Sequence, residues 1–158
     1  MIFMPKTHRY EATVTWTGNT GTGTSSYRDY SRAHDVTAEG KAPIAGSADP
    51  AFRGDPARWN PEELLLVALS QCHMLSFLHE CAAAKVVVTG YTDTPSGTMT
   101  TTAGGGGSFD EVVLHPRVTL ADPGQAGLLD ELHERAHKVC FIANSVNFPV
   151  RHEPTPPA

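Results

Sequence analysis

Three cysteines, Cys72, Cys81 and Cys140, are the residues of this chain with the most chemistry open to them. A thiolate is a nucleophile, a metal ligand and a site of reversible oxidation, whereas a protonated cysteine in an apolar setting behaves as a small hydrophobe. Their spacing gives neither a Cys-x-x-Cys pair nor the dense framework of a disulfide-stapled secreted domain, and their number is odd. Packing or a working thiol in a reducing compartment is what remains. His73, His79, His133 and His137 raise a metal reading, because His137 and Cys140 are spaced to share a helix face. Zinc sites usually need four ligands at short pairwise spacings, and that pattern is incomplete. No metal or cofactor is expected. A cysteine hydrolase would want a general-base histidine beside Cys72, but the adjacent His73 points to a different helix face. The run Gly104 to Gly107 lacks the Gly-Lys-Ser/Thr ending of a phosphate loop and reads as a hairpin tip.

Two helices must position these thiols. Asn60-Pro61-Glu62-Glu63 has the form of a helix start, with Asn60 as N-cap, Pro61 first and two carboxylates at the positive end of the helix dipole. Glu63 reads as a solvated first-turn charge. The apolar run Leu64 to Ala84 continues this helix and carries Cys72 at its middle. Leu65, Leu69 and Phe77 share it with Leu64, Val67, Leu75 and Leu78, so it is apolar almost all round, as central helices are. Asp122-Pro123 opens a second helix to about Ala143, on which Leu129, Leu132, Ala136 and Cys140 fall at helical spacing.

The rest reads as strands. His8 to Thr17 alternates, with Tyr10, Ala12, Val14 and Trp16 on one side, the pattern of a half-buried strand. Thr24 to Arg28 and His34 to Ala38 add two short strands. Gly40 to Asn60 is a long aperiodic connection whose Phe52 and Trp59, read as buried, favour an ordered path. Lys85 to Tyr91 and Thr98 to Thr102 read as the arms of a hairpin, Phe109 to Leu120 as a strand with Pro116 at an edge or bulge, and Phe148 to His152 as a last strand. The order predicts an α+β fold, helices packed on antiparallel sheet, in one domain over residues 1–152 with a disordered Pro-rich tail at 153–158.

Composition narrows the function classes. The 158 residues are 40% hydrophobic and 18% charged, with a formal net charge of -5. No basic surface is offered to phosphates or anionic lipid, so nucleic acid and membrane partners are disfavoured. No apolar stretch reads as long enough to span a bilayer, and a cytoplasmic location is expected.

The stretches NPEELLLVALSQCHMLSFL and, about seventy positions later, AHKVCFIANSVNFPV resemble the OsmC/Ohr family of hydroperoxide-reducing proteins. The family pattern has Asn-Pro-Glu at the start of a central helix, a reactive cysteine further along it and a second cysteine on the later helix. Asn60, Pro61, Glu62, Cys72 and Cys140 match in type, order and approximate spacing. The resemblance implies an OsmC-like fold and a thiol peroxidase, in which Cys72 attacks an organic hydroperoxide or hydrogen peroxide and Cys140 resolves the sulfenic acid to a disulfide. An external dithiol, lipoyl or similar, would reopen it. The family holds an arginine near the thiolate with a glutamate, here Glu62. Arg53, in the loop before the helix, is the first choice, with Arg28, Arg32 and Arg58 as alternatives. Ten positions at ~1.5 Å each separate Glu62 from Cys72 by about 15 Å along one helix. A shared site therefore needs a break in the helix or a second copy of the chain, which fits the intertwined homodimers of the family. The non-enzymatic alternative is a dimeric stress or small-ligand-binding protein with the same fold. Cys81 is left as a packing residue or incidental thiol.

Overall fold

Asn60 starts the longest helix through a reciprocal pair of bonds. Its side-chain oxygen accepts the Glu63 backbone N–H at 2.8 Å, and Glu63 Oε2 accepts the Asn60 backbone N–H at 3.2 Å. Glu63 is thus half of a capping box and not the free first-turn charge expected of it. From this cap α1 runs unbroken over Pro61–Ala83. It ends where Lys85 turns left-handed, with φ of 60°, and Val86 N–H reaches the Cys81 carbonyl. Contrary to expectation, its 23 residues are long and apolar enough to cross a membrane. Its buried residues, Leu69, His73, Phe77 and Cys81, nevertheless lie against protein.

The computed structural model describes residues 4–156. The chain divides into two compact units, the first ending at Leu64 and the second starting at Leu65.

In the first unit β1 (Thr13–Trp16), β2 (His34–Thr37) and β3 (Ile44–Gly46) form an antiparallel sheet in that order. Val14 faces Val36, which faces Ile44. The expected strand at Thr24 to Arg28 is a series of turns instead. Asn19 Oδ1 accepts the N–H groups of Gly21 and Gly23, and Ser25 bonds the Asp29 carboxylate. Such side-chain bonds compete with strand pairing. All four β1 residues are exposed, Val14 at 68% and Trp16 at 44%, so the half-buried pattern read from the sequence has no cover within this unit. The connection to α1 is ordered by β3 and by a 3-10 turn at Pro50–Phe52, whose Asp49 cap accepts Ala51 N–H. Its Phe52 and Trp59 are exposed, not buried. Gly54 is required there, because a Cβ would run into the Ala48 carbonyl.

The second unit contains β4 (Val88–Thr92), β5 (Ser96–Thr101), β6 (Gly107–Leu114), β7 (Arg117–Leu120), α2 (Leu129–Val139) and β8 (Val150–His152). β4 pairs with β7 and β5 with β6, both antiparallel, while β8 joins β6 in parallel. The hairpin expected between 85–91 and 98–102 does not form. The strand expected over 109–120 divides at His115-Pro116, where Asp93 Oδ1 takes the His115 N–H and Pro116 has none to offer. The second helix is also shorter than read. Pro123–Leu128 is 3-10, and α2 stops at Val139, leaving Cys140 extended at its C-cap. Two apolar clusters line α1, one around Phe77, Cys81, Val118, Leu132 and Ala136, the other around Leu69, Val112 and Leu114. The Pro-rich tail is held as far as its bonds reach: Glu153 N–H donates to Leu114 O and Thr155 N–H to Pro116 O. Residues 157 and 158 lie outside the described residues. The α+β class is as the sequence predicts.

Candidate thiol site

Cys72, half-buried at the middle of α1, and Cys140, 1% exposed at the cap of α2, come together, near enough for the Cys72 side chain to act on the Cys140 thiol. Both are free thiols. Cys140 takes an extended backbone (φ −69°, ψ 110°) that ends the helix. The backbone N–H groups of Ile142 and Ala143 in the turn that follows also reach its sulfur. Burial, seconded by the hydrogen bond to Cys72, pushes the Cys140 thiol up to about 11, against the pull of those two amides. At neutral pH Cys140 therefore keeps its proton. Cys81, 1% exposed within the apolar cluster, is pushed up to about 11 by burial and then by Glu80. That environment keeps it an inert thiol.

A second group of candidate residues lies in the first unit. Trp16, Tyr30, Phe52 and Pro61 line an open cleft of about 310 Å³ together with Arg32, Asp49 and Glu62. Glu62 Oε2 is buried there with no hydrogen-bond partner. Arg32 lies over the faces of Tyr27 and Tyr30, 4.3 and 4.0 Å from their ring centres, and donates to the carbonyls of Tyr30 and Tyr27. Cation–π contact and these bonds fix its guanidinium in the cleft wall.

The other arginines are placed differently. Arg53 closes the 3-10 turn with a left-handed backbone, φ 64°, and an exposed side chain that does not line the cleft. Arg58 is committed to the sheet, donating to Gly46 O, His34 O and Asp35 Oδ1. Arg28 is exposed on the turn region. Among the described residues no three His, Cys, Asp or Glu side chains are arranged to hold a metal ion.

The model of the OsmC-like protein family matches residues 54–155, which include Glu62 and both paired cysteines. The chain belongs to the OsmC-like family. A solved OsmC-like protein of unknown function from Vibrio cholerae is 35% identical, with a TM-score of 0.84, over 94% of this chain and 100% of that one. An organic hydroperoxide resistance protein from Elizabethkingia anophelis is 22% identical at TM-score 0.70, over 96% and 99% of the two chains. Another, from Bacillus subtilis, is 20% identical at TM-score 0.62, over 92% and 98%. At that identity these two show the shared fold. No curated protein matches the chain.

On this OsmC-like fold the Cys72 and Cys140 side chains meet, Cys140 from a cap position. Glu62 shares its cleft with Arg32 and not with Arg53. The signal that points to Arg32 is in the sequence: tyrosines two and five positions before it supply two aromatic faces for one guanidinium.

Proposed function

We propose that this OsmC-like protein is a cytoplasmic thiol-dependent hydroperoxide reductase of oxidative-stress defence. The observation that carries the reading is the pairing of Cys72 and Cys140, free thiols from different elements, of which Cys72 is the less buried. The Cys72 thiolate attacks the terminal oxygen of ROOH. An S–O bond forms as the O–O bond breaks, sulfur is oxidised to the sulfenic acid, and the alkoxide leaves with a proton as ROH. Cys140 then displaces hydroxide from that sulfur, giving a Cys72–Cys140 disulfide and water. An external dithiol, lipoyl or other, returns both thiols.

Charge developing on the leaving oxygen calls for a fixed cation. Arg32, sharing a cleft with the unpartnered Glu62 carboxylate, supports this role better than Arg53 does. Because α1 is unbroken between Glu62 and Cys72, about 15 Å of helix separates them in one chain. The complete site is therefore that of a homodimer, with thiols from one copy and Glu62 and Arg32 from the other.

Purified reduced protein treated with an alkyl hydroperoxide tests this. Two thiols per chain should be lost with one equivalent of peroxide, and Cys72→Ser should abolish the loss. Unchanged thiols would favour the alternative, a dimeric ligand-binding protein whose arginine is held permanently by its tyrosines and carbonyls.

A further inference from the structure

A polar link joins α1 directly to α2. His73, next to Cys72 on α1, is 1% exposed, and His133 on α2 is 0% exposed. His73 Nε2 and His133 Nδ1 are 3.0 Å apart, and neither His73 Nδ1 nor His133 Nε2 has any partner. A neutral imidazole carries one N–H. Whichever histidine donates, one unpaired N–H and one unpaired ring nitrogen stay buried, so the link has no slack.

Its surroundings reject a proton. His152 of β8 and His137 of α2 stack near the pair, with His152 centred 5.5 Å from His73 and 6.0 Å from His133. Phe77 of α1 covers His133 at 4.0 Å. Glu134 is 3.1 Å from His152 Nε2 and Asp130 acts on that same outer imidazole. Glu80 of α1 lies 2.6 Å from Arg135 Nη2, an ion pair by distance without hydrogen-bond angle. Among the described residues no carboxylate is hydrogen-bonded to the inner two rings. Burial, then the neighbouring imidazoles, lowers His73 to about 3 and His133 to about 4.

We infer that His73 and His133 are positioning residues whose uncharged hydrogen bond holds α1 and α2 in the register that joins Cys72 to Cys140, and that acid releases the thiol pair by protonating them. This rests on Cys72 and Cys140 being the working pair, and not on peroxide as their oxidant. The direction follows from linkage. Both imidazoles titrate lower when folded than when released, so the link is whole above about pH 6.5 and is lost as pH falls below it toward the folded values. Release takes up as many as two protons, and its equilibrium gains about tenfold per pH unit for each.

The test is the equilibrium of the full-length protein with glutathione, in which two protein thiols and one GSSG give one protein disulfide and two GSH. That exchange consumes no protons below the thiol pKa values, so its pH dependence reports other groups. Between pH 6.5 and 4.5 the closure constant should fall at least about tenfold while far-UV circular dichroism stays constant, and in His73→Asn and His133→Gln the dependence should flatten. Imidazole NMR titration of the native protein should place His73 lower in the disulfide form than in the dithiol form, a readout that survives if the variants do not fold. A pH-independent closure constant, an undiminished slope in both variants, or equal His73 titration in the two redox forms would overturn the inference. Failure of peroxide reduction alone would leave all three readouts in place and would count only against the peroxidase reading.

Discussion

At the scale of residues, the proposed peroxidase would divide the work of its two cysteines by environment. Cys140 is pushed up by burial and holds its proton, while Cys72 is the more accessible sulfur. Replacing Cys140 by Ser should therefore leave the first oxidation intact and stop turnover, with one sulfenic acid per chain trapped by dimedone and read by mass spectrometry. Arg32→Met should slow peroxide-driven thiol loss by on the order of 10², the usual effect of removing one group aimed at developing charge, whereas Arg53→Ala should leave the rate within about threefold. Equal effects of the two would remove the reason for preferring Arg32, namely its place beside Glu62. Arg53 was the natural choice from chain position. Its place in the cleft with Glu62 and its contacts with Tyr27 and Tyr30 single out Arg32, and side-chain stacking leaves a faint trace in a sequence.

Among elements, α1 was the most legible, because cap, proline, carboxylates and apolar run all point to one conformation. Its reciprocal cap yields a prediction: Asn60→Ala should lower stability by about 1 kcal/mol in urea titration, and Glu63→Ala by less, since it removes only one of the two bonds. An equal loss from Glu62→Ala would contradict this assignment of the first turn. The strands were read less well. The β4 and β5 segments looked like one hairpin, yet each pairs elsewhere, with β7 and β6. Alternation and turn residues mark where a strand exists but not which edge it joins, because partner choice depends on distant faces. The second helix was read too long for a local reason: its apolar spacing continues through Cys140, but the chain bonds forward to the amides after it and leaves the helix.

For the whole molecule, large apolar side chains are exposed in both units. Leu75 is 61% exposed on α1, Phe141 80% exposed beyond Cys140, and Val14 68% exposed on β1. On the two-chain reading proposed above, such residues are candidates for burial against a second copy. Sedimentation at micromolar concentration should give twice the chain mass of 16.9 kDa, and Leu75→Glu should shift it toward the monomer. A native monomer with full peroxidase activity would refute the two-chain site.

The sequence by itself determined the α+β class and the central helix with Cys72 in it, because these rest on local propensity and on a motif of fixed spacing. Tertiary structure decided the strand pairing, the arginine that joins Glu62, the cap geometry of Cys140 and the burial of His73 against His133. Each of those depends on groups far apart in the chain, whose approach is set by how faces pack and which polar atoms must be satisfied once water is gone.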